Sequence, residues 1–233
     1  MEMRAGMIQP GGSGCECRSL RRDLASVKID KRADDKSSIK GIAAVYYREG
    51  EAGTEYWLWN DMVERIMPGA FDRAIKEQHD ARGLFNHDAD QLLGRVSAGT
   101  LSLSLSSEGL QYDIPFDKAD PDHQRVAAKI DRGDVNGSSF AFIARAVTWE
   151  EQVLDDGSYL YIRAIKDVDL YDVGPVTWPA YEATSAGRSN SPAGSALEAR
   201  SSELQQLIAE REAYLRKADD ETVAMRARLT EIE

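Results

Sequence analysis

The chain contains three histidines, and one of them stands where a general base is expected. His87 follows a short apolar run within Asn86-His87-Asp88, which indicates the polar end of a strand. A strand end suits a general base, because the sheet holds the backbone while the imidazole projects into a cleft. His79 and His123 lie in polar helical segments and are interpreted as solvated side chains. His87 is therefore the candidate base, and an ordinary structural histidine is the alternative.

Two hydroxyls that such a base could activate follow a glycine in the sequence GSSFAF, residues 137–142. The alternating aromatic residues predict a buried strand, which would present a serine rigidly. The segment is not the Gly-x-Ser-x-Gly elbow of hydrolases, in which a strand turns into a helix. Ser138 and Ser139 are candidate nucleophiles, and a hydrogen-bonding cap is the alternative.

Asp172 is the candidate for the third group of a serine-hydrolase arrangement, a carboxylate that orients the base. It lies in the sequence DLYDV, residues 169–173, where the alternation of apolar residues does not settle which face it occupies. A solvated surface carboxylate is the alternative.

The composition is that of a folded, water-exposed protein. The chain has 233 residues, of which 42% are hydrophobic and 30% charged, and this excludes a wholly disordered or a collagen-like chain. No apolar run of about 18 residues predicts a membrane span, and the N-terminus lacks a secretory signal, so an intracellular location is expected. The two cysteines, Cys15 and Cys17, are too few for a disulfide framework or a closed zinc site.

The charge is concentrated in the middle of the chain. The formal net charge is −11, and residues 39–196 carry −10 of it. A strongly acidic body repels phosphates and anionic lipids, so neither nucleic acid nor a membrane is the expected partner. The same charge is compatible with basic substrate segments.

Short β-branched and aromatic runs separated by turns dominate the middle of the chain and predict a mainly antiparallel sheet or barrel. The runs IKGIAAVYY and EYWLW predict two strands joined by a turn, and TLSLSLS followed by LQYDIPF predicts a half-buried pair. Three further strands are predicted after residue 134, in VNGSSFAFIARAVTW, SYLYIRAI and KDVDLYDVGPVTWPAY. Helices are predicted in MPGAFDRAIKEQ and in PDHQRVAAKIDRG, which begins with proline and ends with glycine.

These patterns divide the chain into four segments. Residues 1–38 lack apolar periodicity and are interpreted as a flexible leader, and residues 39–184 form the predicted folded body. Residues 185–196 are a linker of small residues. Residues 197–233 predict an amphipathic helix whose apolar seam is interrupted at Arg211 and Thr222. This helix would dock on a partner or fold back on its own domain.

Five sequence boxes in order make the chain resemble the prohead maturation serine proteases of tailed bacteriophages, across residues 39–188. The boxes are Ile66-Met67-Pro68-Gly69-Ala70-Phe71, Asn86-His87-Asp88 with Leu93-Gly94-Arg95, Gly109-Leu110, residues 133–142 (GDVNGSSFAF), and residues 173–181 (VGPVTWPAY).

The resemblance implies an antiparallel β-barrel surrounded by helices, similar to the herpesvirus assemblin proteases, and assigns roles. His87 would be the general base, Ser139 the nucleophile, and Asp172 the group that orients His87. His123 is the alternative third member, because the herpesvirus enzymes use a second histidine. Gly174 stands where the family usually has a serine, and Asp172 where it often has a longer glutamate.

The resemblance also implies a function. The chain would be a serine endopeptidase that removes scaffold, or the scaffolding extension of the major capsid protein, inside the prohead in the infected bacterial cytoplasm. It would often cut itself as well, could self-associate, and would need no cofactor and no metal. Two other classes remain open: a non-catalytic capsid-assembly or scaffold-like protein, and an ordinary cytoplasmic hydrolase. The C-terminal helix would be a targeting arm or the start of a fused scaffold.

Overall fold

The computed structural model describes residues 15–20, 25–31, 37–59, 61–177, 209–210, 213 and 216–217. The chain divides into two compact units, residues 1–186 and 187–233. The described residues of the second unit are helical and exposed, whereas the rest of the predicted helix and the predicted linker lie outside the described residues. In the described part of the chain, no helix is long and apolar enough to cross a membrane.

Strands in two sheets build the first unit. The larger sheet contains β1 (Glu16–Ser19), β4 (Tyr56–Trp59), β5 (Met62–Ile66), β6 (Arg82–Leu84), β7 (Leu92–Arg95), β10 (Gly137–Val153) and β11 (Tyr159–Val176). The smaller sheet contains β2 (Lys28–Asp30), β3 (Ser38–Val45), β8 (Ser102–Leu105) and β9 (Gly109–Pro115). The helices α1 (Asp72–Lys76) and α2 (Pro121–Asp131) accompany them.

The strand order shows a mainly antiparallel fold. In the larger sheet it is β1-β10-β11-β5-β4, with β6 also paired to β11 and β7 paired to β6; in the smaller sheet it is β2-β3-β9-β8. Only the pairings of β11 with β5 and with β6 are parallel among the described strands. The prediction of a mainly β protein with few helices is confirmed.

The predicted closed barrel is wrong for the described strands, which form two sheets. The larger sheet is nevertheless strongly curled. Arg18 pairs with Phe140, whereas Glu64 lies level with Trp149 through Arg163, nine residues further along β10 or about 30 Å in a flat sheet. Arg18 Nε nevertheless donates to Glu64 Oε1 at 2.7 Å. Register shifts between Ala141 and Val147 bend β10. Side-chain ion pairs, rather than a backbone ladder, therefore connect β1 to β5.

Several elements form where the sequence predicts them. The hairpin of β8 and β9 pairs Leu103 with Tyr112 and Leu105 with Leu110. Helix α2 begins at Pro121 because the Asp120 side chain caps it, accepting a hydrogen bond from the backbone N–H of residue 122 at 2.8 Å. The helix buries Val126 and Ile130, and α1 likewise lies in its predicted segment.

Other elements differ from the predictions. The leader prediction is wrong for residues 16–19 and 28–30, which form β1 and β2 by pairing with β10 and β3. The predicted strands on either side of Lys166 are a single strand, β11, because Lys166 is exposed at a position where a polar side chain does not break the sheet. Strands β3 and β4 are joined by a turn but belong to different sheets.

The core is shared by the two sheets. One buried cluster takes residues from both sheets and from α1, α2 and the loops. Aromatic rings pack together in this cluster: Phe140 stacks on Phe142 with centroids 5.0 Å apart and meets Phe71 edge to face at 5.6 Å. This packing fixes β10, the strand that carries both candidate nucleophiles.

Candidate active site

The pairing of β10 with β11 places two of the predicted site residues on one face of the larger sheet. Ser139 lies opposite Gly174, and Ala141 lies opposite Asp172. Directly opposite residues of an antiparallel pair share a face, as do residues two apart in a strand. Ser139 and Asp172 are therefore diagonal neighbours, and the small residues Ala141 and Gly174 leave space between them for a third side chain.

Gly174 permits β6 to approach this face. A Cβ atom at position 174 would lie 1.9 Å from the carbonyl oxygen of Leu84, the last residue of β6. The serine that the family usually has at this position would not fit the present backbone. The glycine brings the loop after β6, which contains His87, over β11.

The backbone of that loop is held in an unusual conformation. Asn86 and His87 both have φ of 58°, in the left-handed region that few non-glycine residues adopt. Asn86 is clamped to the end of β11: its N–H donates to Pro175 O at 3.1 Å, its Oδ1 accepts from the Thr177 N–H at 2.7 Å, and its Nδ2 donates to Thr177 Oγ1 at 3.1 Å. These bonds outweigh the local strain and fix the direction of the His87 side chain.

The three predicted site residues meet in one chain of polar contacts. His87 Nδ1 lies 2.6 Å from Asp172 Oδ1, and His87 Nε2 lies 2.5 Å from Ser139 Oγ. With a carboxylate facing Nδ1, the neutral ring carries its proton there, and Nε2 accepts from the serine hydroxyl. Ser139 is fully buried, Asp172 is nearly so, and the His87 side chain is 19% exposed.

The neighbouring serine points elsewhere. Ser138 Oγ lies 2.9 Å from Tyr112 OH on β9, on the side of β10 that packs against the smaller sheet. Burial raises the pKa of Tyr112, so this hydroxyl pair stays protonated and neutral. The structure therefore separates two serines that the sequence pattern leaves equivalent.

The other two histidines are not solvated, contrary to the prediction. His123 is 5% exposed, and its ring contacts Leu93 O through Nε2 at 2.7 Å and accepts the Asp117 N–H at Nδ1 at 3.1 Å. His79 contacts Arg73 and accepts the Leu170 N–H. The polar sequence around them hides these contacts, because each ring also bonds a backbone group far away in sequence, Leu93 O for His123 and the Leu170 N–H for His79. The two hydrogen bonds of the His123 ring are with backbone groups, whereas Asp172 contacts His87 directly.

Sequence reasoning missed the strand that covers the site. β1 lies along β10 with Ser19 opposite Ser139, and Ser139 Oγ is 2.9 Å from the Arg18 carbonyl oxygen and 3.0 Å from Ser19 Oγ. The four residues of β1, ECRS, carry no apolar alternation that would have indicated a strand. The residues that could have indicated this strand are its charged partners, and they are distant in sequence.

A buried hydroxyl bonded to an imidazole that a carboxylate orients is able to perform acyl transfer. The imidazole can take the hydroxyl proton as the oxygen attacks a carbonyl carbon, and it can return that proton to a leaving group. Within the described residues, no group of three or more His, Cys, Asp or Glu side chains is placed to hold a metal ion.

Comparison with known proteins defines the class. A family model described as the caudovirus prohead serine protease matches residues 25–196, so the chain belongs to that family. It is accordingly a serine protease of bacteriophage capsid maturation. Among solved structures, the chain is similar to the capsid assembly protease gp21 of bacteriophage T4, at 12% identity and a TM-score of 0.40, over 71% of this chain and 98% of that one. No curated protein matches the chain.

Proposed function

We propose that Ser139, His87 and Asp172 are the catalytic triad of an endopeptidase that matures a phage capsid. Ser139 is the nucleophile, His87 the general base and then the general acid, and Asp172 the group that orients His87. The observation that carries the proposal is the position of one imidazole, with Asp172 Oδ1 2.6 Å from Nδ1 and Ser139 Oγ 2.5 Å from Nε2.

The mechanism rests on this geometry. As Ser139 Oγ attacks a peptide carbonyl carbon, its proton passes to His87 Nε2, and the Asp172 carboxylate stabilises the resulting imidazolium. His87 then gives the proton to the departing amine nitrogen, which leaves an ester on Ser139. A water molecule, deprotonated by the same imidazole, hydrolyses the ester and restores the serine hydroxyl.

The substrates proposed for this site are proteins of the immature capsid. Family membership supports scaffold protein, or the scaffolding extension of the major capsid protein, as the substrate, cleaved inside the prohead within the infected cell. Cleavage of the protease itself and self-association are part of the proposal.

The C-terminal segment has a proposed role in delivery. Residues 197–233 carry the amphipathic pattern of a helix that binds a groove on a partner. Deletion of residues 190–233 is expected to lower incorporation into proheads while peptide cleavage by the purified protein stays unchanged. Normal incorporation of the truncated chain would contradict this role.

Co-expression with the cognate major capsid protein tests the function directly. Mass spectrometry of the products is expected to show new termini with the natural chain, none with Ser139→Ala, and the same termini with Ser138→Ala. The Ser138 variant is a matched control, because it removes an adjacent buried hydroxyl that contacts Tyr112 instead of His87. Identical termini with Ser139→Ala would overturn the triad, and no cleavage by the natural chain would favour a non-catalytic assembly protein.

A further inference from the structure

β1 lies where a substrate must lie. Proteases that add an extended segment to a sheet edge hold its backbone by strand pairing and its side chains in pockets. β1 pairs antiparallel with β10, Leu20 N donates to Ser138 O at 2.7 Å, and the Arg18 carbonyl oxygen is 2.9 Å from Ser139 Oγ. The carbonyl beside the nucleophile is thus that of the bond between residues 18 and 19.

The Arg18 side chain fills a charged pocket. Its Nε donates to Glu64 Oε1 at 2.7 Å and its Nη2 to Glu64 Oε2 at 3.0 Å, and both side chains are fully buried. The guanidinium carbon is 5.6 Å from the centroid of the Phe142 ring. A forked pair of this kind matches an arginine in a way that lysine or an uncharged side chain does not.

The Glu16 side chain belongs to the same charged cluster, and its Oε2 accepts from Arg18 Nη2 at 2.6 Å. Arg163 donates to it through two nitrogens, Nη1 to Oε2 at 2.7 Å and Nη2 to Oε1 at 2.8 Å. Burial opposes the ionisation of Glu16, but the charges and hydrogen bonds of Arg18 and Arg163 outweigh burial and hold the pKa of Glu16 below its usual value. Glu16 is therefore a carboxylate when it is bound there.

The charges of Glu64 and Arg163 neutralise each other when β1 is absent. Arg163 Nη1 also donates to Glu64 Oε2 at 2.5 Å, so the body keeps a paired anion and cation without any residue of the leader. Residues 16 and 18 add one negative and one positive charge. β1 can therefore leave without stranding an unbalanced charge, the situation that makes breaking a buried pair costly.

The segments on the two sides of the bond between residues 18 and 19 are held to the folded body by different contacts. Leu20, on the C-terminal side, is 1% exposed and belongs to the core. Glu16 and Arg18, on the N-terminal side, are attached through ion pairs and strand pairing. Cutting between Arg18 and Ser19 would release the N-terminal piece and leave the core in place.

We propose that β1 occupies the substrate cleft, and that Glu64 and Arg163 are specificity-determining residues that select a segment with arginine before the cleaved bond and an acidic residue two positions earlier. The inference rests on the proposed function and deepens it. The first substrate of this cleft is the chain's own bond between Arg18 and Ser19.

The step balances with one water. Ser139 Oγ forms a bond to the Arg18 carbonyl carbon while its proton moves to His87 Nε2. The bond from that carbon to the Ser19 nitrogen breaks, and the nitrogen takes the proton from His87. Water then hydrolyses the Ser139 ester, which releases residues 1–18 with a carboxylate at Arg18 and restores the hydroxyl.

Intact mass and N-terminal sequencing of the purified full chain over time provide the test. Loss of residues 1–18 and a new N-terminus at Ser19 are expected, with no loss in Ser139→Ala. Arg18→Ala is expected to slow this cut by about a hundredfold or more, since it removes one partner of a buried charged pair. Glu16→Gln should slow the cut less than Arg18→Ala does. Lys28→Ala, which removes an exposed basic side chain on β2, should leave the rate of the cut unchanged.

A double-mutant cycle separates specificity from a merely structural role. Arg18→Gln, Glu64→Gln and the two together are compared by the rate constant for loss of residues 1–18. If Glu64 selects Arg18, the double variant is no slower than the slower single variant; independent structural damage would make the effects multiply. Should Glu64→Gln fail to fold, the rates of the Arg18 and Glu16 variants test the inference by themselves, because these substitutions change only the segment bound in the cleft.

Four results would overturn the inference. One is a Ser139-dependent cut elsewhere with residues 16–19 retained, and another is an unchanged rate in Arg18→Ala. The third is a natural chain that keeps residues 1–18 while it cleaves capsid protein in a Ser139-dependent way, which would leave the proposed function standing. Loss of residues 1–18 from Ser139→Ala at the natural rate would also remove this inference, and unaltered capsid cleavage by that variant would remove the proposed function as well.

Discussion

β1 and β11 flank the same strand, β10, and each places groups beside Ser139. β11 is 18 residues long, carries Asp172 and lies within the segment that matches the family. β1 has four residues, precedes that segment, and presents the Arg18 carbonyl. In the proposed enzyme, β11 supplies part of the catalytic triad, and β1 presents a peptide bond to it.

The two strands are held by different forces. The inward residues of β11, such as Ile165, Val168 and Val173, are buried in the apolar core. β1 instead depends on strand pairing and on ion pairs of Glu16 and Arg18. Apolar burial does not depend on pH, whereas ion pairs respond to the charge state of each partner. The comparison therefore predicts that β11 stays in the sheet permanently and that β1 can be released from it.

The largest expected effect comes from the permanent strand. Asp172→Asn keeps the shape of the side chain but lets His87 adopt the wrong tautomer, so we expect kcat to fall about 10⁴-fold. Peptide or capsid cleavage measures this effect, and thermal unfolding serves as the control because the fold should persist. A loss smaller than about tenfold would show that Asp172 does not orient the base.

Gly174→Ala tests how closely β11 must approach β6. The added Cβ would lie 1.9 Å from Leu84 O, so the backbone of one strand has to move. We expect the free energy of unfolding to fall by about 3 kcal/mol, at the upper end for overpacking. Gly133→Ala is a less exact control, since its surroundings are open but its φ is positive. Denaturant unfolding that leaves Gly174→Ala as stable as the natural chain would refute the close approach.

Acid should release β1 before it affects β11. The folded-state pKa of Glu16 is lowered, so its contribution is fully present above the pKa of an unfolded glutamate, about 4.3, and is lost as the pH falls through the folded value. Hydrogen exchange of the Ser139→Ala protein, which keeps its leader, measures this for each strand. The protection factors of the β1 amides should not change with pH near neutrality and should fall by up to about tenfold per pH unit in acid.

That experiment has its own internal reference. Amides of β11 near Val168 and Val173 should stay protected over the range in which β1 loses protection. Arg18 and Arg163 stay charged throughout, so the change comes from Glu16, the β1 carboxylate that faces them. Equal loss of protection in both strands would show that β1 is as permanent as β11.

The smallest expected effect is that of Ser138→Ala, which leaves the contacts between Ser139 and both strands unaltered. It removes one hydroxyl of the pair with Tyr112 and leaves a buried phenol with one partner fewer. We expect a stability loss of about 1 kcal/mol and an unchanged kcat. A strong loss of activity without a loss of stability would contradict the assignment of Ser139.

The comparison also explains what the sequence could predict. Strands β8 and β9 and helix α2 carry local signals, namely apolar alternation, a capping aspartate and a terminal glycine. The three proposed site residues are identified by the order of the five sequence motifs around them, since each alone resembles an ordinary polar residue. What brings them together, the close approach at Gly174 and the clamp by Asn86, depends on contacts made only in the folded chain.

β1 could not be predicted because its contacts with the folded body are all with residues distant in sequence. Its burial depends on Glu64, 46 residues from Arg18, and on Arg163, 147 residues from Glu16. A short polar segment with such distant partners is indistinguishable from a tail when only periodicity is considered. The sequence pattern divides β11 in two for a related reason, since the exposed Lys166 interrupts its apolar residues without interrupting its hydrogen bonds.

The complete burial of Ser139 beneath β1 sets the order of events in the proposed enzyme. A molecule whose nucleophile is covered by its own chain cannot act on a neighbour until that cover is gone, and its uncovering, by cleavage or by release of β1, is unimolecular. The rate of that step does not depend on how many copies are present. Crowding inside a capsid would then leave the delay before cleavage unchanged and would accelerate only the later encounters between freed enzyme and capsid protein.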